Sequence, residues 1–315
     1  MIFSIIVALV IVEIFLRLIH FKYRPLRVIC LRKGDWRLKH SFEDKNYVYD
    51  PDLIWKPDVR SSAFNSYGYK GREITPETTC RVFAYGDSNT LGWAVKDYPN
   101  WPMYLDRLVA KDSNKCIIVN TACEGYTSFQ ILGRFKESLK YNPKIAIISG
   151  GGNDSHKVTI PDSQFHRKDV IRVILDRHLI RFKTGQLIIA FLDSFQKNEK
   201  NLVARVSLEE YRHNLEEIIK IAKEKNIKLV LLTRPFIGKS NDPDWWKTYA
   251  PLYNKMTVEI ARENNIPVID IYMHFDGKLQ YFRKNDESHF NEKGHKKAAL
   301  LIYQKIRKDL EDDLE

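Results

Sequence analysis

The chain lacks the short motifs that mark most metal-dependent and nucleotide-dependent enzymes. Its four cysteines include no C-x-x-C pair, and Cys116 falls in a predicted buried strand. We therefore expect neither a zinc site nor a disulfide framework. H-E-x-x-H is absent, and the glycines at 150–152 are not followed by the Lys-Ser/Thr of a phosphate-binding loop. These absences predict no metal and no cofactor.

The sequence also has no internal repeat and no low-complexity tract. A length of 315 residues with 44% hydrophobic content suits one α/β domain with an extension. The net charge of +11 suits contact with anionic lipid headgroups. Basic residues are not interleaved with aromatic residues in the manner of nucleic-acid-binding motifs, so we expect no nucleic-acid partner.

Apolar runs rich in β-branched residues alternate with longer segments of helical character. The runs lie at 81–85, 116–120, 145–149, 228–233 and 267–271. This alternation predicts a five-stranded parallel sheet with helices on both faces. Ser207 and Glu210 form a candidate capping box, which predicts a helix that runs to about Lys225.

The first of these runs ends abruptly at Gly86-Asp87-Ser88, a pattern that delivers a serine into a turn. Gly, Asp and Ser are also ordinary turn residues, so the tripeptide alone is weak support for a nucleophile. Three later blocks, at 120–128, 150–154 and 286–291, carry Gly125, the pair Asn153-Asp154, and Asp286 with His289.

The order of these four blocks resembles that of the SGNH (GDSL-type) hydrolases. The resemblance spans roughly residue 81 to the final helix, and Ala122 departs from it because many members carry a second glycine in that block. It implies a flavodoxin-like three-layer α/β sandwich. It also implies a catalytic triad of Ser88, Asp286 and His289, and an oxyanion hole formed by Ser88, Gly125 and Asn153.

The residue types agree with this chemistry. A serine hydroxyl needs a base to take its proton, and a carboxylate must hold that base in one tautomer. Asp286 and His289 are three residues apart, so both can lie on one side of a turn. Individually each residue has an ordinary explanation, with His289 as a surface or capping histidine and Asn153 as a turn residue.

The sequence therefore predicts a serine esterase that cleaves an O-acyl ester, on a carbohydrate or a lipid, through an acyl-serine intermediate. Two alternatives stay open. An O-acyltransferase would move the acyl group to a glycan with the same residues, and a non-catalytic binding protein would keep only the fold.

The N-terminal segment differs in kind from the rest of the chain. Residues 2–12 are almost wholly apolar, and the hydrophobicity continues to Ile19 with Glu13 and Arg17 interrupting it. We predict a single-pass membrane anchor at residues 1–22, an extension at 23–78 and the hydrolase domain at 79–315. Basic residues after the apolar segment favour a cytoplasmic catalytic domain, whereas many anchored relatives act on exported glycans, so the side stays open.

Three further segments have less definite patterns. Residues 47–73 read as an irregular extension, and 65–71 is similar to a segment that precedes the first block in membrane-anchored relatives. The basic stretch 156–201 is a candidate lid or substrate-binding insert. Trp245 and Trp246 are expected on a loop, where they could stack on a sugar or pack as a buried anchor.

Overall fold

The computed structural model describes residues 2–23, 37, 44–95, 99–112, 115–166, 168–169, 171, 175, 178–194, 202–237 and 245–311. The strands are β1 (Tyr47–Asp50), β2 (Ile54–Pro57), β3 (Cys80–Tyr85), β4 (Cys116–Asn120), β5 (Ile145–Ser149), β6 (Lys157–Val158), β7 (Val203–Ala204), β8 (Lys228–Leu232) and β9 (Val268–Ile269). The helices are α1 (Ile2–Leu18), α2 (Ser88–Leu91), α3 (Trp101–Asp112), α4 (Ser128–Ser138), α5 (Lys183–Ser194), α6 (Leu208–Glu224), α7 (Trp245–Glu263), α8 (Ile271–Phe275) and α9 (Glu292–Glu311).

The central sheet has five parallel strands in the order β4-β3-β5-β8-β9. This confirms the predicted five-stranded parallel sheet. The fifth strand is shorter than predicted, because Ile271 already begins α8. Asp270 caps that helix, since its side chain accepts a hydrogen bond from the amide of Met273 at 3.1 Å.

Alternate residues of the strands point to opposite faces of the sheet, and helices cover both. Val82 and Ala84 pack on the face that carries α3 and α9, whereas Phe83 and Tyr85 pack on the face that carries α4, α6 and α7. Burial on both faces explains why the strands read as continuous apolar runs. The predicted three-layer arrangement is confirmed.

The helix α6 begins and ends close to its predicted limits. Ser207 is the N-cap, and its hydroxyl accepts a hydrogen bond from the amide of Glu210 at 3.1 Å. Lys225 follows the last helical residue as the C-cap.

The segment 47–73 is more regular than expected. Its first part forms an antiparallel hairpin of β1 and β2. Trp55, in β2, is fully buried, and its carbonyl oxygen accepts a hydrogen bond from the Tyr126 hydroxyl at 2.9 Å. The hairpin was missed because its strands are only four residues long and carry no marked alternation.

The prediction of no disulfide is wrong. Cys80 and Cys116 open the neighbouring strands β3 and β4, where they are cross-strand partners with Cα atoms 4.4 Å apart, and a disulfide joins them. The two cysteines are far apart in the sequence, so only the register of the sheet brings them together. Cys123 is buried and has a free thiol.

The N-terminal apolar segment forms α1, and α5 packs against it. Among the helices of the described residues, none combines the length and the hydropathy that a membrane crossing requires. The membrane anchor at 1–22 stays a prediction. Trp245 and Trp246 are the first residues of α7 and not part of a loop, so their expected position is corrected, and their side chains lie outside the described atoms.

Candidate active site

Ser88 lies at the carboxyl end of β3, as the first residue of α2. Asp87 caps this helix, because its side chain accepts a hydrogen bond from the amide of Asn89 at 2.9 Å. A Cβ atom on Gly86 would lie 2.3 Å from the Thr90 hydroxyl oxygen and 2.9 Å from the carbonyl oxygen of Ser149. The glycine is therefore required for the close turn that presents Ser88.

The structure brings Ser88, His289 and Asp286 together in one hydrogen-bonded row. Ser88 Oγ is 2.9 Å from His289 Nε2, and His289 Nδ1 is 2.9 Å from Asp286 Oδ2. This is the geometry in which an imidazole can take the serine proton while the carboxylate fixes its tautomer. The pair lies in a turn between β9 and α9, as the spacing of three indicated.

The carboxylate of Asp286 is stabilised in its charged form. Burial raises its pKa, but the hydrogen bond and charge of His289 and the amides of Ser288 and His289 outweigh burial. Together they hold the pKa of Asp286 well below its usual range. Asp286 is therefore ionised at every pH at which His289 could act as a base.

Gly125 and Asn153 come to the same edge of the sheet, after β4 and β5. Gly125 has φ of +76°, a left-handed conformation that favours glycine. Asn153 Nδ2 donates to the carbonyl oxygen of Tyr126 at 3.0 Å and lies 3.4 Å from Asp87 Oδ2. Asn153 thus ties the turn of Gly125 to the turn of Ser88.

Arg234 is a site residue that the sequence reasoning missed. Its Nε donates to Asp87 Oδ2 at 2.9 Å, and its Nη1 lies 3.4 Å from the carbonyl oxygen of Ser288. A Cβ on Gly152 would lie 2.6 Å from the Arg234 side chain, so this glycine makes room for it. Arg234 links the residues beside Ser88 and His289. It follows β8 closely, and a search for polar residues at strand ends would have found it.

Arg205 and Asp162, also missed, form a buried ion pair beneath the turn of Gly125. Arg205 Nη2 is 2.7 Å from Asp162 Oδ2, and both side chains are almost fully buried. Arg205 Nη1 donates to the carbonyl oxygen of Gly125 at 2.7 Å. Asp162 Oδ2 also accepts from the Thr127 hydroxyl at 2.9 Å. Asp162 lies within the candidate insert and Arg205 follows it, and no local pattern distinguishes either residue from a surface charge.

Trp93 lies against the imidazole of His289. Their ring centroids are 4.8 Å apart, and the Arg283 guanidinium lies 5.2 Å from the indole centroid. Trp93 is only half-buried. It therefore offers a partly exposed aromatic surface beside His289.

Within the part of the chain that the structure describes, no group of three or more His, Cys, Asp or Glu side chains is arranged to hold a metal ion.

Comparison with solved structures finds other proteins of the same fold. The fold is similar to that of a lipase/acylhydrolase from Enterococcus faecalis, with a TM-score of 0.51 and 22% identity over 73% of this chain and 97% of the other. It is also similar to an acetylxylan esterase from Geobacillus stearothermophilus, solved as a catalytic mutant, with a TM-score of 0.50 and 17% identity over 74% and 96% of the two chains.

No curated protein sequence matches the chain. The sequence profile of the GDSL-like lipase/acylhydrolase family matches residues 84–297, which is more than half of the chain and includes all five predicted site residues. The chain therefore belongs to the GDSL-like lipase/acylhydrolase family, and it is an ester-hydrolysing enzyme.

Proposed function

We propose that this enzyme is a serine esterase that hydrolyses an O-acyl ester through a covalent acyl-serine intermediate. The observation that carries the proposal is the 2.9 Å contact between Ser88 Oγ and His289 Nε2, in a row that ends at Asp286. A binding protein that kept only the fold would have no need of this alignment.

In the first half-reaction His289 Nε2 takes the proton of Ser88 Oγ as that oxygen bonds to the acyl carbon. The carbonyl oxygen becomes an oxyanion, for which the amides of Ser88 and Gly125 and the side chain of Asn153 are the proposed donors. The C–O bond to the alcohol then breaks, and the alcohol leaves with the proton from His289. Water attacks the acyl-enzyme by the same route and releases the acid.

We propose an acylated carbohydrate as the substrate, with a lipid ester as the alternative. Support comes from Trp93, because an aromatic face beside His289 suits the apolar face of a sugar ring in the leaving alcohol. The structural relative from Geobacillus stearothermophilus is an acetylxylan esterase. Its low identity limits this likeness to the fold.

The test of the nucleophile is labelling by a fluorophosphonate probe, which forms a bond to an activated serine. Wild-type enzyme should label at Ser88, and Ser88→Ala should lose both labelling and p-nitrophenyl acetate turnover while keeping its thermal unfolding transition. His289→Ala should lose activity to a similar extent, because residues that act as a unit are not additive. Labelling of Ser88→Ala at the wild-type rate would assign the nucleophile to another residue.

An acyltransferase would use the same row of residues, with a sugar hydroxyl in place of water. The surface of Trp93 is the feature that favours this second function, because an acceptor has to approach the acyl-enzyme beside His289. With an acetyl donor and a panel of glycans, we expect most acetyl groups to appear as free acetate. Acetylated glycan as the main product would replace the esterase proposal by the transferase one.

We propose further that residues 1–22 attach the enzyme to a membrane, with the catalytic domain in an oxidising compartment. The disulfide between Cys80 and Cys116 supports this side, because such bonds are rare in the reducing cytosol. This location is opposite to the one that the basic residues after the apolar segment favour. Protease added to cells in which only the outer layer has been permeabilised should digest the catalytic domain. Survival of the catalytic domain would place it in the cytoplasm.

A further inference from the structure

The side chains in the first part of α1, from Phe3 to Val12, are exposed on every side of the helix. From Phe3 to Val12 each of them is exposed, and the large apolar ones range from 38% for Val12 to 79% for Phe3. Successive residues of an α-helix are rotated by about 100°, so ten consecutive exposed residues cover its full circumference. A groove on a protein covers one face of a helix, whereas a lipid bilayer surrounds the helix on every side.

The helix α5 carries a second exposed apolar surface. Leu187, Ile188, Phe191 and Leu192 are between 40% and 63% exposed. Their spacing places them in one stripe along the helix. Gln186 and Ile189 lie on the opposite, buried face, which packs inward. The apolar stripe of α5 thus lies on the side of the helix opposite to its buried residues.

Polar contacts join α5 to α1 and to the residues that follow α1. Glu13, the acidic residue of α1, accepts hydrogen bonds through Oε2 from the Thr184 amide at 2.8 Å and from the Thr184 hydroxyl at 3.1 Å. Lys183 Nζ donates to the carbonyl oxygen of Phe21 at 2.7 Å. The Tyr23 hydroxyl donates to Asp193 Oδ2 at 2.7 Å. The polar groups at this junction are therefore paired within the protein.

Basic side chains lie next to the junction in the sequence. Lys22 and Arg181 are exposed, and Arg17 is 59% exposed while it contacts Glu13. The chain as a whole carries a net charge of +11. Cations beside an apolar surface complement the anionic headgroups that border the hydrocarbon of a bilayer.

We infer that α1 and α5 together form one lipid-binding surface, in which the stripe Leu187, Ile188, Phe191 and Leu192 enters the headgroup boundary of an anionic bilayer beside α1. This inference rests on the proposed membrane attachment of residues 1–22 and adds a second contact to it. Two contacts orient the hydrolase domain relative to the bilayer, which a single flexible attachment would not do.

The test uses the full chain in vesicles of phosphatidylcholine and phosphatidylglycerol that contain a diazirine-labelled lipid. After irradiation, peptide mapping should find lipid adducts in residues 3–12 and in residues 187–192. The double variant Ile188→Glu/Phe191→Glu should lower adducts on α5 by at least about 10-fold, since two apolar side chains no longer enter the lipid. Its fluorophosphonate labelling should stay at the wild-type rate.

The matched control is Val59→Glu/Met273→Glu, which places two charges at exposed apolar positions outside α1 and α5. This variant should keep the wild-type adduct pattern. Adducts on residues 3–12 alone would overturn the inference and leave the attachment of α1 intact. Adducts on neither segment would remove both proposals. Protein crosslinks between two copies through residues 187–192 would overturn the inference in favour of a second copy of the chain.

Discussion

Arg205 donates a hydrogen bond from Nη1 to the carbonyl oxygen of Gly125 at 2.7 Å. The guanidinium is buried and is held in place by both oxygens of Asp162, at 3.2 and 2.7 Å. The carbonyl of Gly125 shares its peptide plane with the amide of Tyr126, so this hydrogen bond restrains the left-handed turn that carries the amide of Gly125, a proposed oxyanion donor. We therefore expect Arg205 to act as a positioning residue for the proposed oxyanion hole.

Arg205→Lys should lower kcat by about 10-fold to 100-fold with a smaller change in KM, because a lysine cannot bind Gly125 and both oxygens of Asp162 at once. Steady-state kinetics with p-nitrophenyl acetate measure both constants. The control is Arg134→Lys, since Arg134 is also buried and donates to the carbonyl oxygen of Gly68 at 3.2 Å, on a different loop. Arg134→Lys should lose stability and keep kcat, and the same result for Arg205→Lys would reduce Arg205 to a structural role.

Asn153→Ala should lower kcat by roughly 100-fold with little change in KM, because its amide is proposed to bind charge that develops only in the transition state. The substitution also frees the carbonyl of Tyr126, which Asn153 now binds. Asn214→Ala is the matched control, since Asn214 is buried and binds the Ser128 hydroxyl at 3.0 Å. A wild-type kcat for folded Asn153→Ala would take the residue out of the site.

Trp93→Ala should raise KM for acetylated sugars by about 10-fold while p-nitrophenyl acetate is affected much less, because only the sugar presents a large face to the indole. The ring contact between Trp93 and His289 is the basis for this expectation. Trp93→Phe should recover most of the loss. Equal losses on both substrates would show that Trp93 acts by supporting His289 and not by binding the alcohol.

Asp154 should make folding pH-dependent. Burial raises the pKa of its carboxyl from 3.8 to about 6, against the opposing hydrogen bonds from Ser128 and the charge of Arg205. The folded state therefore binds more protons than the unfolded state between about pH 4 and pH 6, so this group's contribution to stability falls as pH rises through that window. Asp154→Asn removes the titration.

The measurement for Asp154 is the difference in unfolding free energy between wild type and Asp154→Asn, by urea denaturation at pH 4.5 and pH 7. Wild type should lose stability relative to the variant as pH rises. Comparison with the variant cancels the other titrating groups, including Asp286, whose lowered pKa acts below this window. A difference that does not change with pH would show that Asp154 has an ordinary pKa.

Cys80→Ala/Cys116→Ala should lower the free energy of unfolding by about 3 kcal/mol, because the disulfide closes a long loop in the unfolded chain. Activity of the folded variant should be unchanged, since both cysteines lie at the strand ends opposite to the site. Thermal unfolding with and without reductant gives the measurement. Wild type in reductant should match the variant, and a wild type that is insensitive to reductant would show that the bond does not form.

The local sequence determined the sheet, its helices and the residues of the hydrogen-bonded row. Strands of the sheet can be recognised as apolar runs because both faces of a parallel sheet are buried. Ser207 can be recognised as a helix cap because capping depends on residues that are close in the sequence. Ser88, Gly125, Asn153 and the pair Asp286 and His289 were predicted because each lies in a short block with its own turn residues. The order of the four blocks, each after a predicted strand or loop, was enough to predict that these residues meet at one edge of the sheet.

The tertiary structure alone decided the contacts between residues that are distant in the sequence. The disulfide between Cys80 and Cys116 depends on the register of β3 and β4. The contacts of Arg205 and Arg234 depend on which carbonyl and carboxylate oxygens the fold brings next to their buried guanidinium groups. The pairing of α1 with α5 brings Glu13 to Thr184, which is 171 residues away in the sequence. Such contacts leave no periodic pattern in the sequence, because they depend on how helices and strands pack and not on residues that are adjacent in the chain.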